Sequence, residues 1–74
     1  MFKKDLVTVL GVYRKSREHA YEVEAMDYLN ITKREAKGKM YKHLMSPNEE
    51  RPGISHRNII KIFIYKTEKT SVSN

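Results

Sequence analysis

Five cations crowd one short stretch of the chain: Lys33, Arg34, Lys37, Lys39 and Lys42 stand against a single carboxylate, Glu35, so residues 28–45 hold +4 of a formal net charge of +6. Residues of this type at this density attract phosphate by releasing condensed counterions. A second group sits near the C-terminal end, where Lys61, Phe63 and Tyr65 alternate with isoleucines. On a strand they share one face, and aromatics on an open sheet surface are the kind that stack on unpaired bases, each worth about 1–3 kcal/mol. These eight residues are the candidate contacts to nucleic acid or to an acidic partner. Lysines on a solvated helix face are also commonplace, which gives the cations an ordinary alternative role.

Other chemistry is thinly supplied. Ser55 and His56 are neighbours in a loop, but adjacency in sequence does not orient a base toward a nucleophile, and neither Asp5 nor Asp27 is linked to them. His19, His43 and His56 are scattered without metal-ligand spacing, there is no cysteine, and Gly11, Gly38 and Gly53 form no phosphate-cradling loop. The expectation is a protein that is not an enzyme, without metal site or cofactor. His43, in the last turn of the cationic helix, is expected to cap it.

The elements that must position these residues are short. At 74 residues the chain makes one domain and buries only about 60% of the surface its unfolded form exposes. Residues 5–13 are dense in β-branched and apolar types and read as a strand, with Gly11 arguing against a helix. Tyr21-Glu22-Val23-Glu24-Ala25 alternates with period two and reads as a second strand, with Tyr21, Val23 and Ala25 inward and the two glutamates outward, on the face of Phe63. Thr32-Lys33-Arg34-Glu35 matches a capping box, so a helix begins at Lys33 and ends near Met45, before Ser46-Pro47. Ala36, Met40, Tyr41, His43 and Leu44 gather on its apolar side. Residues 46–57 are a long loop of the kind often functional or mobile. Residues 58–66 are a strand with Ile60, Ile62 and Ile64 on one face.

The expected fold is therefore α+β, a three-stranded antiparallel sheet with one helix on one face, in the order β-β-α-β. It occupies residues 1–66, and residues 67–74 form a disordered polar tail. One sheet face is left open unless the N-terminal segment with Phe2, another protein or a second copy covers it. Residues 24–32 also resemble the turn of a helix-turn-helix, with Leu29, Asn30, Ile31 and the Thr32 cap in register and Ala36 as the small packing residue. That resemblance spans about a quarter of the chain and implies a winged helix-turn-helix, with residues 58–66 in the wing. Lys39, where that family turns an apolar residue inward, and the alternation of residues 20–26 depart from it.

Met1-Phe2-Lys3-Lys4 and the apolar run after it superficially resemble a secretory leader, but Asp5 and Tyr13-Arg14-Lys15 break the pattern. The sequence leads to an expectation of a cytoplasmic, regulatory, nucleic-acid-binding module (DNA or RNA) with no membrane contact. The alternative is a small protein of the viral or mobile-element type that binds and inhibits or redirects a host replication or transcription protein. A homodimer is the third arrangement the composition allows.

Overall fold

The structure is a computed structural model that describes the backbone of residues 2–72 and the side chains of residues 5–69. Its elements follow the expected order: β1 (Phe2–Tyr13), β2 (Glu22–Leu29), α1 (Lys33–Met45), a one-turn 3-10 helix (His56–Asn58) and β3 (Ile59–Val72). The three strands form one antiparallel sheet in the spatial order β2-β1-β3, so the first strand is central and the other two are edges. The result is an α+β fold, and residues 22–29 are strand throughout, which excludes the helix-turn-helix alternative. The expected tail at 67–74 is also corrected over most of its length. β3 continues through Val72, with Thr67–Val72 laddered against Val7–Phe2; Ser73 and Asn74 lie outside the described residues.

Local chemistry explains the helix. Thr32 Oγ1 accepts from the Glu35 N–H at 3.1 Å while the Glu35 carboxylate accepts from the Thr32 N–H at 3.2 Å, satisfying two donors that a helix start leaves orphaned. Asn30 turns the chain out of β2 with φ 59, a left-handed conformation that asparagine tolerates well. Ala36, Met40 and Leu44 are fully buried, and burying Met40 and Leu44 contributes roughly 1.5–3 kcal/mol each. Beneath them lie Val9, Tyr13 and Ile54, edged by Met26, Tyr28, Ile59, Ile62 and Ile64.

Gly11 sets the distance between the two layers. A Cβ there would lie 2.7 Å from Leu44 Cδ1 and 3.1 Å from Met40 Sδ, so the helix rests directly on bare backbone. The glycine that weakens a helix reading of β1 is thus the residue that lets α1 sit close. Among the described residues no helix is long and apolar enough to cross a membrane.

Candidate nucleic-acid interface

The capping box fixes where α1 begins and thereby which side chains it turns outward. Lys33, Arg34, Lys37, Lys39 and Lys42 are all exposed. Among the described residues none of the five has a carboxylate within ion-pair distance; the pairs are Lys15–Glu22, His43–Glu24 and Arg51–Glu24. Glu35, the one acid of the helix, is committed to the cap, and its hydrogen bonds with Thr32 lower its pKa, with Lys39 adding a smaller attraction. Gly38 lies between Arg34 and Lys42 at the i, i+4 and i+8 positions of this surface. A Cβ at Gly38 would meet nothing within 4 Å, so no neighbour in the chain requires glycine there.

Lys61 and Phe63 occupy the opposite side of the molecule. Ile62 and Ile64 pair with Gly11 and Val9 on the helix-covered face, which turns Lys61 and Phe63 to the open face beside Val12 and Leu10. The Lys61 ammonium lies 5.2 Å from the Phe63 ring centroid, so this ring already has a cation on it. Tyr65 falls at an irregularity of the ladder: Val9 pairs with Ile64 and Thr8 with Lys66, leaving Tyr65 without an opposite residue and 63% exposed. A second irregularity between Val12 and Tyr13 leaves Ile60 unpaired and exposed, which removes it from the expected isoleucine stripe. The eight candidate residues therefore divide into a helix set and a sheet set that do not form one site.

The sequence reading of β2 is inverted. Glu24 pairs with Gly11 and Glu22 with Tyr13, so both glutamates lie on the helix-covered face, while Val23 and Leu29 are exposed on the open one. The reason for the inversion is Arg51. Its side chain is only 2% exposed, and its Nε and Nη2 meet the two oxygens of Glu24, Nη2 at 3.2 Å. Nη1 donates to the carbonyls of Leu44, Ser46 and Pro52 at 3.2, 3.0 and 3.0 Å, and Nη2 donates also to the His43 carbonyl at 3.2 Å. Arg51 thus closes the C-terminal end of α1, the part expected of His43. The His43 ring instead lies 2.7 Å from Glu24 Oε1.

The ion pair shifts the groups around it. The Arg51 guanidinium holds the Glu24 carboxyl down at about 2, and Arg51 is raised in turn. Burial, with the Glu24 carboxylate beside it, pushes the Tyr13 phenol up to about 12, and the Arg51 guanidinium lies 5.5 Å from that ring's centroid. The loop at 46–57 is consequently tied down. Asn48 Oδ1 accepts from the Glu50 and Arg51 N–H groups at 2.8 and 3.0 Å, and the buried Ile54 donates its N–H to Leu44 O at 2.8 Å. Nothing in the local sequence distinguishes Arg51 from the exposed charges around it; its partner lies 27 residues away.

One serine and histidine do meet, though not the pair that sequence adjacency suggests: Ser16 Oγ lies 2.5 Å from His19 Nδ1 in an exposed turn. The same oxygen accepts from the Glu18 N–H at 3.3 Å, and none of the side-chain hydrogen bonds among the described residues brings a carboxylate to that histidine. No protein family, curated protein or solved structure matches this chain.

Proposed function

We propose that the chain is a small, non-enzymatic nucleic-acid-binding module of regulatory type that engages phosphates through the outer surface of α1. The observation that carries this reading is the row of five exposed cations without a carboxylate partner inside the described chain. Cations that stabilise a fold are ordinarily matched by internal acceptors, whereas unmatched ones are free to replace the counterions of a polyphosphate. Glu22 and Glu24, which would have repelled phosphate on the open face, are turned away from it.

The test is binding to a short duplex and to a single strand over a salt series. Engagement of about four phosphates gives a log–log slope near −3.6 on duplex DNA. Arg34→Glu with Lys42→Glu is expected to abolish binding at physiological salt without loss of fold. Unchanged affinity in that double variant overturns the reading.

A second reading has its own support in the open sheet face, where Leu6, Leu10, Val12 and Phe63 are partly exposed and Val23 and Leu29 largely so. Aliphatic surface of this kind suits a protein partner better than a base, as in a small protein that captures a host replication or transcription protein, or in a homodimer. Val23→Lys with Leu29→Lys separates the two readings, since it would abolish a protein complex and leave the salt slope unchanged. Sedimentation at micromolar concentration reads the homodimer directly.

A further inference from the structure

Beyond the end of β1 a cleft of about 510 Å³ is lined by Arg14, Ser16, Arg17, Arg57 and Asn58, and no carboxylate is among its lining residues. It is built from two segments distant in sequence. The turn after β1 supplies Arg14, Ser16 and Arg17, the 3-10 helix supplies Arg57 and Asn58, and the Arg14 N–H joins them by donating to Asn58 O at 3.0 Å. The Asn58 N–H in turn donates to Ser55 O at 2.8 Å, which holds the second wall.

The three guanidinium groups of this cleft differ sharply from that of Arg51. None makes an ion pair or a side-chain hydrogen bond among the described residues, and Arg14 Nε is buried with no acceptor. A buried donor is almost always partnered, and a charged one lacking an acceptor is costly. The Arg14 guanidinium is steadied by the Tyr21 ring, 5.7 Å from its centroid, and not by an anion. Of the nearby charges, Lys15 is paired with Glu22 at 3.7 Å and Glu18 is exposed in the same turn. Three like charges around one cleft repel each other, and an oxyanion would relieve that repulsion while offering planar guanidinium groups the bidentate geometry they favour.

We propose that this cleft is a phosphate-binding site, held by Arg14, Arg17 and Arg57 with the Asn58 side-chain amide as a further donor. It takes a phosphate group, whether of a nucleic-acid backbone or of a free phosphomonoester. No residue of α1 lines it, so it stands apart from the helix surface.

The experiment is titration of the full chain with inorganic phosphate at constant ionic strength in chloride, followed through the Arg14 side-chain Nε–H resonance. A saturable shift is expected. Arg17→Gln with Arg57→Gln, both at exposed positions, should retain the fold and weaken phosphate binding about ten-fold or more. A shift that drifts without saturating, or one that is identical in wild type and double variant, overturns the proposal. Arg34→Glu with Lys42→Glu should leave this titration unchanged, so failure of the helix surface and failure of the cleft are read separately. Displacement of phosphate by a short oligothymidylate assigns the site to a nucleic-acid backbone, and displacement by a phosphomonoester alone assigns it to a free terminal phosphate.

Discussion

The two sides of α1 treat the same residue types in opposite ways. On its inner side Gly11 is pressed against Leu44 and Met40, and the buried Arg51 at its C-terminal end has every guanidinium nitrogen engaged by the protein. On its outer side Gly38 faces open space, and five cations have no carboxylate partner in the described chain. Charge and glycine content alone therefore carry little information about role. What separates structural from available residues is whether the chain itself satisfies them.

The largest effect expected from this contrast is at Arg51. Arg51→Ala leaves Glu24 partly buried without its cation and the carbonyls at the end of α1 without donors, and it should cost about 3–5 kcal/mol in a urea unfolding experiment. In so small a domain much of the chain would then be unfolded at 25 °C. A loss below about 1 kcal/mol would show that the buried arginine is no more structural than those outside. Affinity for nucleic acid, measured on whatever fraction remains folded, should not change.

Acid probes the same pair more gently. Because the Glu24 pKa is about 2 in the fold against an ordinary 4.5, its contribution is fully present above about pH 4.5 and is lost as pH falls toward 2. The stability at issue is on the order of 3 kcal/mol, and Glu24→Gln should flatten the decline between those limits. An identical acid profile in that variant would remove the pair from the account. Gly11→Ala comes next, at about 1–3 kcal/mol, because the added methyl group must displace Leu44 and Met40 from their places over the sheet. Wild-type stability in that variant would mean the two layers separate more readily than their packing implies.

Legibility in the sequence followed the same division. The helix ends were readable because their signals are local: Thr32 and Glu35 cap each other three residues apart, and Ser46-Pro47 cannot continue the turn. Strand existence was readable from composition, as was the face that Ile62 and Ile64 of β3 turn to the helix, but the orientation of β2 was not. Val23 and Ala25 look like the inward side of β2, yet Arg51, from a distant loop, holds Glu24 inward, and a one-residue change of parity moves every side chain of a strand to the other face. The polar stretch at Thr67–Val72 becomes a strand through pairing with the start of β1, sixty or more positions away, which no local pattern records. Of the candidate site, the outward placement of the helix cations was legible, and so was the position of Lys61 and Phe63 on the sheet face the helix leaves uncovered. The ladder irregularities that leave Tyr65 and Ile60 without opposite residues were not, because they depend on how β3 pairs with β1.

The smallest predicted effect bears most directly on function. Glycine in a helix interior costs about 0.5–1 kcal/mol relative to alanine, and at Gly38 no contact in the chain accounts for bearing that cost. Gly38→Ala should therefore raise stability by about that amount, seen as a higher denaturant midpoint at unchanged slope. If a phosphate chain approaches the helix backbone between Arg34 and Lys42, the new methyl group stands in its path, and the same substitution should weaken nucleic-acid binding while leaving the salt slope nearly intact. Higher stability with undiminished affinity would show that the partner meets only the tips of the long cationic side chains. Gly38 would then be a residue that neither the fold nor the interface uses, and the contrast between the two sides of α1 would reduce to charge alone.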